Sequence, residues 1–398
     1  MFNHNTNEPK YRIIKSYIKN LIKEKKVEDG QMLPSEYELM EKFGVSRHTV
    51  RQAFGELEKE GWVYKKQGKG TFARNVSTGT KKGMIGLITT YISDYIFPHI
   101  ISGIESVMTE EGYSVIIANT NNNKEKEAYQ IKSLMEQNIK GLILEPTKSA
   151  EDNINLNLLE EVLARDIKIV FINATYKELE DKSPNVGYIL MDDVKGGFIA
   201  TRYLLETGHR KIAGIFKRDD IQGVRREEGY RKALESFGVV PEENMIARFT
   251  TEDKIIIPKK FVHNLLSNKK NANKIINKKE DINNDKSIKD SLKSVKNENN
   301  ELIPDAIVCY NDEIAVKVIQ AIKECGLSVP QDISVVGYDD SSLATVLDVG
   351  LTTVKHPKKQ MGELAAHHLI EMLENNCGNH KIICEPELVI RSSCRIIK

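Results

Sequence analysis

Cysteine is scarce in this chain and shows no regular spacing. Among 398 residues there are five cysteines, at positions 309, 325, 377, 384 and 394. An odd number without close pairs argues against a disulfide framework and against a zinc site. We therefore predict reduced thiols, no metal ion and no cofactor.

Long apolar runs are also missing. No stretch approaches the roughly 18 apolar residues that a membrane-spanning helix requires. The opening residues, 1–9, are polar and lack the basic-then-apolar pattern of a secretory signal. These absences predict a protein without a membrane span that stays in the cytoplasm.

The sequence patterns of several enzyme classes are absent. There is no G-x-S-x-G nucleophile elbow, no G-x-x-x-x-G-K-[ST] phosphate loop and no setting typical of a Schiff-base lysine. The Asp339–Asp340 pair has no matching set of histidines that would indicate metal catalysis. We therefore expect no enzymatic activity.

Net charge is small overall but unevenly distributed. The formal charge is +1, yet residues 1–80 hold 15 Lys/Arg against 10 Asp/Glu, or +5, which leaves −4 for the remainder. A basic end is typical of a nucleic-acid-binding domain, although a solvated basic surface gives the same count. The length exceeds that of one ordinary core and favours at least two domains.

The first 74 residues carry the pattern of three helices and a hairpin. A helix over 10–26 is predicted from apolar residues at three- and four-residue steps: Tyr11, Ile14, Ile18, Leu21 and Ile22. A second helix over 36–43 opens with Ser35 as N-cap and Glu38 three residues later, and Ser46 caps a third. The alternating run 62–72 predicts a hairpin.

Beyond a short connector the pattern changes to strands alternating with helices. Residues 75–82 are rich in Ser, Thr and Gly, which is typical of a linker, so we place one domain at 1–74 and another at 83–398. Continuous apolar runs predict buried parallel strands at 84–89, 114–118, 141–144, 169–172, 212–216, 306–309 and 334–337.

One segment interrupts this alternation. Residues 267–301 are dominated by Asn, Lys, Asp and Glu. Such a stretch has too few apolar side chains to order itself, so we predict a disordered surface insertion. The alternative reading is a partner-binding segment.

Three helices followed by a hairpin make a winged helix-turn-helix, whose third helix enters the major groove of DNA. The segments that carry a specific resemblance are Leu33–Glu36, Phe43–Arg51 and Gln67–Phe72. They resemble the head of the GntR family of regulators across residues 10–74. The resemblance implies DNA contacts, with operator DNA as partner, from Ser35, Arg47, His48, Thr49, Arg51, Gln67, Lys69 and Gly70. For each cation, the alternative is an exposed charge without a DNA contact.

The larger domain resembles a second family. The segments that carry the resemblance are Gly86–Thr90, Gly141–Leu144, Gly208–Ile212, Pro304–Ile307, Asn311–Asp312 and Val336–Asp340. They are similar to the sugar-sensing domain of LacI/GalR regulators. This implies a two-lobed, periplasmic-binding-protein-like α/β domain with its ligand between the lobes, and an ordinarily dimeric assembly. The fold class expected for the whole chain is therefore α/β with an N-terminal winged helix-turn-helix.

Three further segments, 91–98, 145–150 and 192–197, are similar to arabinose-responsive regulators that combine these two domains. The resemblance implies L-arabinose as the effector. The expected effector-binding residues are Tyr95, Phe97, Glu145, Asn173, Arg226, Asn311, Asp339 and His356. Polar groups among them would satisfy sugar hydroxyls, and the aromatic rings would form apolar walls.

Other interpretations of these residues and of the chain stay open at this stage. Tyr95 and Phe97 are alternatively core residues, whereas Asp192 and Asp312 are expected to brace strand-to-helix turns rather than to contact ligand. A repressor or activator responding to another monosaccharide fits the same patterns. A plain sugar-binding protein is opposed by the DNA-binding pattern and by the missing secretory signal.

Overall fold

The computed structural model describes residues 9–24, 26–66, 68–74, 82–93, 96–180, 183–277, 303–375 and 381–397. The chain divides into two compact units. The first, called the head, comprises the residues up to Gly83 together with Thr109–Ser114, and the second, called the body, takes Met84–Met108 and the residues from Val115 onwards.

The head is a three-helix unit with an antiparallel hairpin. Its elements are Lys10–Lys23 (α1), Glu36–Phe43 (α2), Arg47–Lys59 (α3), Val63–Lys66 (β1) and Gly70–Ala73 (β2). Ser35 caps α2 in a reciprocal box, because its hydroxyl accepts from the amide of Glu38 and the Glu38 carboxylate accepts from the amide of Ser35. Gly44 ends α2 in the left-handed conformation, at φ 58°. The predicted helices, cap and hairpin are confirmed.

The apolar stripe predicted on α1 is part of the core of the head. Ile14, Ile18 and Ile22 are buried, whereas Tyr11 and Leu21 are partly buried against them. They pack against buried side chains of the other elements: Leu33, Leu39, Val50, Ala53, Phe54, Leu57, Trp62, Val63 and Ala73. This packing fixes which face of α3 stays exposed.

The body alternates strands and helices. Its strands are Gly83–Thr89 (β3), Tyr113–Asn119 (β4), Gly141–Leu144 (β5), Lys168–Ile172 (β6), Val186–Met191 (β7), Ile212–Lys217 (β8), Ile246–Phe249 (β9), Ala306–Cys309 (β10), Ser334–Asp339 (β11), Thr352–Lys355 (β12), Lys381–Cys384 (β13) and Glu387–Val389 (β14). Its helices are Phe97–Glu110 (α4), Lys124–Glu136 (α5), Leu156–Ala164 (α6), Asp193–Glu206 (α7), Ile221–Ser236 (α8), Ile256–Asn277 (α9), Asp312–Glu324 (α10), Leu343–Val346 (α11) and Lys358–Asn375 (α12), with 3₁₀ turns at Lys177–Leu179 and Glu243–Met245.

The strands form two six-stranded sheets, and each sheet defines a lobe. The first lobe has the order β13-β7-β6-β5-β3-β4 and the second the order β14-β12-β11-β10-β8-β9. Neighbours from β3 across to β13 pair in parallel, as do those from β9 to β12, whereas β14 is antiparallel to β12. The two-lobed α/β fold is confirmed, and all seven predicted runs are strands. The predictions omitted β7, β9, β12, β13 and β14.

The chain passes from one lobe to the other near three positions. It leaves the first sheet after β7, returns between β12 and α12, and crosses again between β13 and β14. His356 lies in the second of these crossings, as expected for a residue between the lobes. Since the crossings meet the carboxyl ends of β7 and β12, they bring polar residues from both lobes to one edge.

Helix α9 enters the segment for which disorder is predicted. Its first turns pack Val262 and Leu266 into the core of the second lobe, with Phe261 partly buried beside them. The backbone continues as a helix to Asn277, so residues 267–277 are helical here, whereas 278–302 lie outside the described residues. An anchored apolar first half provides the helical turns from which the polar second half extends.

The described part of the chain bears on two further predictions. Cys309, Cys325, Cys384 and Cys394 are free thiols, and Cys377 lies outside the described residues. Among the described helices, none combines the length and apolarity that spanning a membrane demands. Of the predicted connector 75–82, only Lys82 is described.

Helices α7 and α8 are in direct backbone contact at glycines. A methyl group built on Gly229 would lie 2.0 Å from the carbonyl oxygen of Val194, and one on Gly197 would lie 2.1 Å from that of Arg226. Only glycine permits such an approach. The contact brings the backbone of Arg226 against α7, where Asp193 begins the helix.

Candidate functional site

A cavity of about 850 Å³, including its open mouth, lies between the two lobes of the body. Seven of the eight residues predicted to bind the effector line it: Phe97, Glu145, Asn173, Arg226, Asn311, Asp339 and His356. The eighth, Tyr95, lies outside the described residues. Five of the seven follow or end a strand, because the carboxyl ends of parallel strands meet along one edge.

Glu145 is the polar centre of the first-lobe wall. Its carboxylate accepts from the Thr90 amide at 2.9 Å, from the Thr90 hydroxyl at 2.6 Å and from the Asn173 side-chain amide at 2.8 Å. Asn173 has a left-handed backbone, at φ 65°. Its Oδ1 lies 3.2 Å from Nε2 of His356, which comes from the crossing between lobes. The first-lobe wall is therefore hydrogen-bonded to a crossing segment.

Burial shifts the pKa of both residues at the ends of this chain of hydrogen bonds, Glu145 and His356. It raises the pKa of Glu145 to about 7, against the opposing effect of the hydrogen bonds from Thr90 and Asn173. It lowers the pKa of His356 to about 4, although the charge of Asp339 opposes this. His356 is therefore a neutral imidazole at neutral pH, and its buried Nδ1 has no hydrogen-bond partner within the described part of the chain.

Arg226 provides the buried cation of the second-lobe wall. It is 5% exposed, and its Nε donates to Asp193 at 2.8 Å while another nitrogen donates to the Tyr310 carbonyl at 2.8 Å. The guanidinium also lies 3.5 Å from the ring centroid of Tyr338 and 3.8 Å from Oδ1 of Asp339. Burial alone would lower the pKa of Arg226, but Asp193 and Asp339 raise it above its ordinary value, so the side chain stays charged.

Asp339 ends β11 in a strained conformation. Its φ is 97° and that of Asp340 is 47°, in the region that L residues seldom adopt. The Lys358 ammonium donates to the carbonyl oxygens of both residues, and Arg391 pairs with the Asp340 carboxylate at 2.6 Å. These cations hold the turn that places Asp339 in the cavity wall.

Two predicted bracing residues have structural partners. Asp192 caps α7 by accepting from the Lys195 amide at 2.9 Å. Asp312 is buried and accepts from the Ser341 amide at 2.7 Å and the Thr353 hydroxyl at 2.6 Å. Asn311 also has a capping role, because its Oδ1 accepts from the Ile314 amide at 3.0 Å.

Several lining residues were not identified from the sequence: Thr90, Tyr91, Asp193, Lys217, Asp220, Gln222, Lys254, Tyr310 and Glu313. Lys217 ends β8 and Tyr310 follows β10, so their positions at the carboxyl ends of predicted strands are the signal that could have identified them. Lys217 pairs with Asp220 and lies 3.7 Å from Asp219. Burial by itself would lower the pKa of Lys217, but these carboxylates raise it above its ordinary value. No local sequence pattern identifies Asp193 as a lining residue, since its partner, Arg226, lies on another helix.

The lining chemistry suits a polyhydroxylated ligand. Carboxylates and amides accept and donate hydrogen bonds, Arg226 donates only, and Phe97 with Tyr91 forms an aromatic pair with ring centroids 6.0 Å apart. Within the described residues, no group of three or more His, Cys, Asp or Glu side chains is arranged to hold a metal ion.

On the head, six of the eight predicted DNA-contacting residues are exposed. Arg47, His48 and Arg51 on α3 are exposed, as are Lys69 and Gly70 in the hairpin turn, whereas Thr49 is half-buried. Ser35 is exposed and engaged in the α2 capping box. Gln67 lies outside the described residues.

Glu36 is a head residue whose role was not anticipated. Its carboxylate accepts from Nε of Arg47 at 2.7 Å and from Nε of Arg51 at 3.1 Å. The hydrogen bond from Arg47, together with that from Arg51, lowers the pKa of Glu36 below its ordinary value. One carboxylate at the start of α2 therefore holds two arginines of α3 side by side.

We predict that replacing Glu145 changes how stability depends on pH. The pKa of Glu145 is raised from 4.5 to about 7. The stabilisation of the folded state that comes from its protonated carboxyl is therefore complete below pH 4.5 and is lost as the pH rises through about 7. Because a difference of one in pKa corresponds to about 1.4 kcal/mol, Glu145→Gln should gain about 3 kcal/mol of unfolding free energy relative to the parent between about pH 4.5 and about pH 8. Urea unfolding across this range measures the difference, with the exposed Glu161→Gln as control. Parallel curves for parent and Glu145→Gln would contradict the prediction.

Family models match both units of the chain. Residues 10–73 match bacterial regulatory proteins of the gntR family, and residues 82–268 match periplasmic binding proteins and the sugar-binding domain of the LacI family. Residues 201–394 match a periplasmic binding protein-like domain. Both resemblances inferred from the sequence are confirmed.

Solved structures show the same body fold. A putative ribose operon repressor from Burkholderia thailandensis has 23% identity and a TM-score of 0.60, over 77% of this chain and 98% of that one. A LacI family regulator from Enterococcus faecium with bound ribose has 19% identity and a TM-score of 0.60, over 79% and 100%. At these identities the likeness establishes the fold alone.

Similarity to curated relatives extends over nearly the whole chain. The arabinose metabolism transcriptional repressor of Geobacillus stearothermophilus is 40% identical, with 98% of each chain covered. That of Halalkalibacterium halodurans is also 40% identical, with 97% of this chain and 96% of the relative covered. This chain therefore belongs to the same family as these repressors, in which a GntR-type head is joined to a LacI-type sugar-binding body.

Proposed function

We propose that this chain is a DNA-binding repressor of arabinose utilisation genes that leaves its operator when L-arabinose occupies the cavity of the body. The observation that carries the proposal is the convergence, on one cavity between the lobes, of seven residues that the family resemblance predicts to bind the effector. The names of relatives that are 40% identical over nearly the full length support arabinose as the sugar. We further propose that the protein is a regulator without enzymatic activity and that it acts in the cytoplasm.

The head binds DNA through the exposed start of α3 and the hairpin turn. Arg47 and Arg51 present two guanidinium groups, which form bidentate hydrogen bonds with guanine or pair with phosphate. Their common attachment to Glu36 restricts their rotamers before DNA is bound. Lys69 and Gly70 of the hairpin turn contact the backbone of a neighbouring groove, as in other winged helices.

We predict that Arg51→Ala weakens operator binding by about tenfold or more, the loss typical of an arginine that contacts a base. Binding is measured by fluorescence anisotropy on the DNA that the parent protein selects from a random library. Lys26→Ala removes the same charge from an exposed position outside the predicted contact set and serves as control. Equal losses in both variants would reduce the role of Arg51 to general charge attraction.

The cavity binds the sugar through groups on both lobes. Glu145 and Asn173 face it from the first lobe, and Arg226 and Asp339 from the second. A buried hydroxyl left without a partner is unfavourable by about 1–3 kcal/mol, so placement of these groups selects one stereoisomer over another. Phe97 and Tyr91 supply an apolar wall for the C–H face.

We predict calorimetric binding of L-arabinose that is weakened by at least about tenfold in Asp339→Asn and in Arg226→Ala, since each change removes a charged hydrogen-bonding group. Arg248→Ala, which removes a surface arginine paired with Glu227 and Glu243, is the control. D-xylose, D-ribose and D-galactose are titrated in parallel. Binding of one of these instead would establish a regulator of another pathway, and binding of none would overturn the proposal.

The proposed mechanism couples the sugar to DNA through a homodimer. Two heads read the two halves of a nearly palindromic operator, and sugar bridging the lobes favours a dimer geometry with a different spacing of the heads. Such coupling is reciprocal and typically amounts to about 1–3 kcal/mol.

We predict that operator DNA weakens L-arabinose binding by about 5- to 150-fold, the range that this coupling produces. Sugar titrations with and without a saturating operator duplex measure the effect. A duplex of scrambled sequence at the same concentration is the control. Equal sugar affinity with operator and with scrambled DNA would exclude the release mechanism.

A further inference from the structure

Asn122 connects three loops near the cavity without lining it. It follows β4 in the first lobe, is 1% exposed and has a left-handed backbone, at φ 53°. Its Oδ1 accepts from the Lys148 amide at 2.8 Å within the first lobe. Its Nδ2 donates to the Asp220 carboxylate at 3.1 Å and to the Thr251 hydroxyl oxygen at 2.7 Å, both in the second lobe.

Neighbouring residues extend this connection into a seam between the lobes. Lys148 pairs with Glu252 at 2.6 Å. The Ala150 amide donates to the Asp219 carbonyl at 3.2 Å, and the Ile221 amide donates to the Ser149 hydroxyl at 3.0 Å. Asn122 is buried within the seam and contacts both second-lobe loops, whereas the Lys148–Glu252 pair is more exposed.

The seam is continuous with the walls of the cavity. Asp220 lines the cavity and also accepts from the lining Lys217. On the other side, Lys148 follows the lining residues Glu145 and Pro146 in the same loop. The three hydrogen bonds of Asn122 therefore fix one wall segment from each lobe relative to the other.

We propose that Asn122 is a positioning residue that holds the two lobes closed on the effector and so sets effector affinity without touching the effector. The inference rests on the proposed function of the cavity. Lobe separation breaks both bonds that Asn122 donates and exposes a carboxylate and a hydroxyl that were satisfied. A ligand that binds the closed form better gains affinity from any contact present only in that form.

The chemistry of the seam requires an amide at this position. Aspartate would keep the acceptor for the Lys148 amide but would place a second carboxylate against Asp220 and supply no donor. The Thr251 hydroxyl cannot take over as donor, because it already donates to Asp219 at 2.7 Å. Asn122→Asp is therefore an isosteric change that repels the lobes while tolerating the left-handed backbone.

The test uses the full chain with L-arabinose as the probe. Asn122→Asp should weaken binding by about tenfold, within the range of ordinary conformational coupling. Asn121→Asp is the matched control, since its neighbouring position is exposed, has φ 50° and gains the same charge. Its affinity should stay close to that of the parent. Parental affinity in Asn122→Asp, or an equal loss in Asn121→Asp, would overturn the inference.

A second pair of variants separates positioning from general damage to the fold. In an Asp220→Asn background the donor and acceptor of the bond between positions 122 and 220 are exchanged, whereas the bond to Thr251 is still lost, so adding Asn122→Asp should weaken binding clearly less than it does in the parent. An undiminished loss in that background would overturn the inference. Should Asn122→Asp fail to fold, Thr251→Val removes one acceptor across the seam and should weaken binding severalfold, whereas parental affinity in Thr251→Val would again overturn the inference.

Small-angle X-ray scattering without sugar distinguishes failure of this inference from failure of the proposed function. The radius of gyration of Asn122→Asp should exceed that of the parent and of Asn121→Asp, since the lobes separate. If the parent binds none of the sugars, the proposed function fails, and this comparison still tests the seam. Equal radii for the three proteins would overturn it.

Discussion

The candidate site depends on the burial of one guanidinium. Arg226 is almost fully removed from solvent, and such a charge is tolerated only when hydrogen-bonded carboxylates compensate it. Asp193, from the start of α7, accepts a hydrogen bond from Arg226, and Asp339, from the end of β11, adds an ion pair at 3.8 Å. The close glycine contact between α7 and α8, the ring of Tyr338 beneath the guanidinium and the strained turn after Asp339 all serve to keep these groups together.

Buried polar groups in the first-lobe wall are also compensated by hydrogen bonds. Glu145 is held by three hydrogen bonds in the first lobe, and His356 reaches Asn173 from the crossing segment. The Glu145 carboxylate and the Asn173 side chain are thus held in place by hydrogen bonds within the protein. Under the proposed function, a sugar between the lobes meets walls that Arg226 orders on one side and that the Asn122 seam is proposed to position on another.

The head uses a smaller version of this arrangement. Glu36 pairs with two exposed arginines of α3, and it directly follows Ser35, whose capping box begins α2. In both units a carboxylate orients a guanidinium. The head pair is exposed to solvent, whereas the Arg226 pair is buried.

Local pattern alone determined much of this protein. Capping residues, helical periodicity and apolar runs depend on neighbours in the chain, so the head and seven strands were predictable. The family resemblance added the effector-binding residues, of which seven line the cavity. Only the tertiary structure decided the partners of Arg226, the role of Glu36, the Asn122 seam, the short edge strands β9, β13 and β14, and the extension of α9. Those features join residues far apart in sequence, where packing rather than local propensity selects the contact.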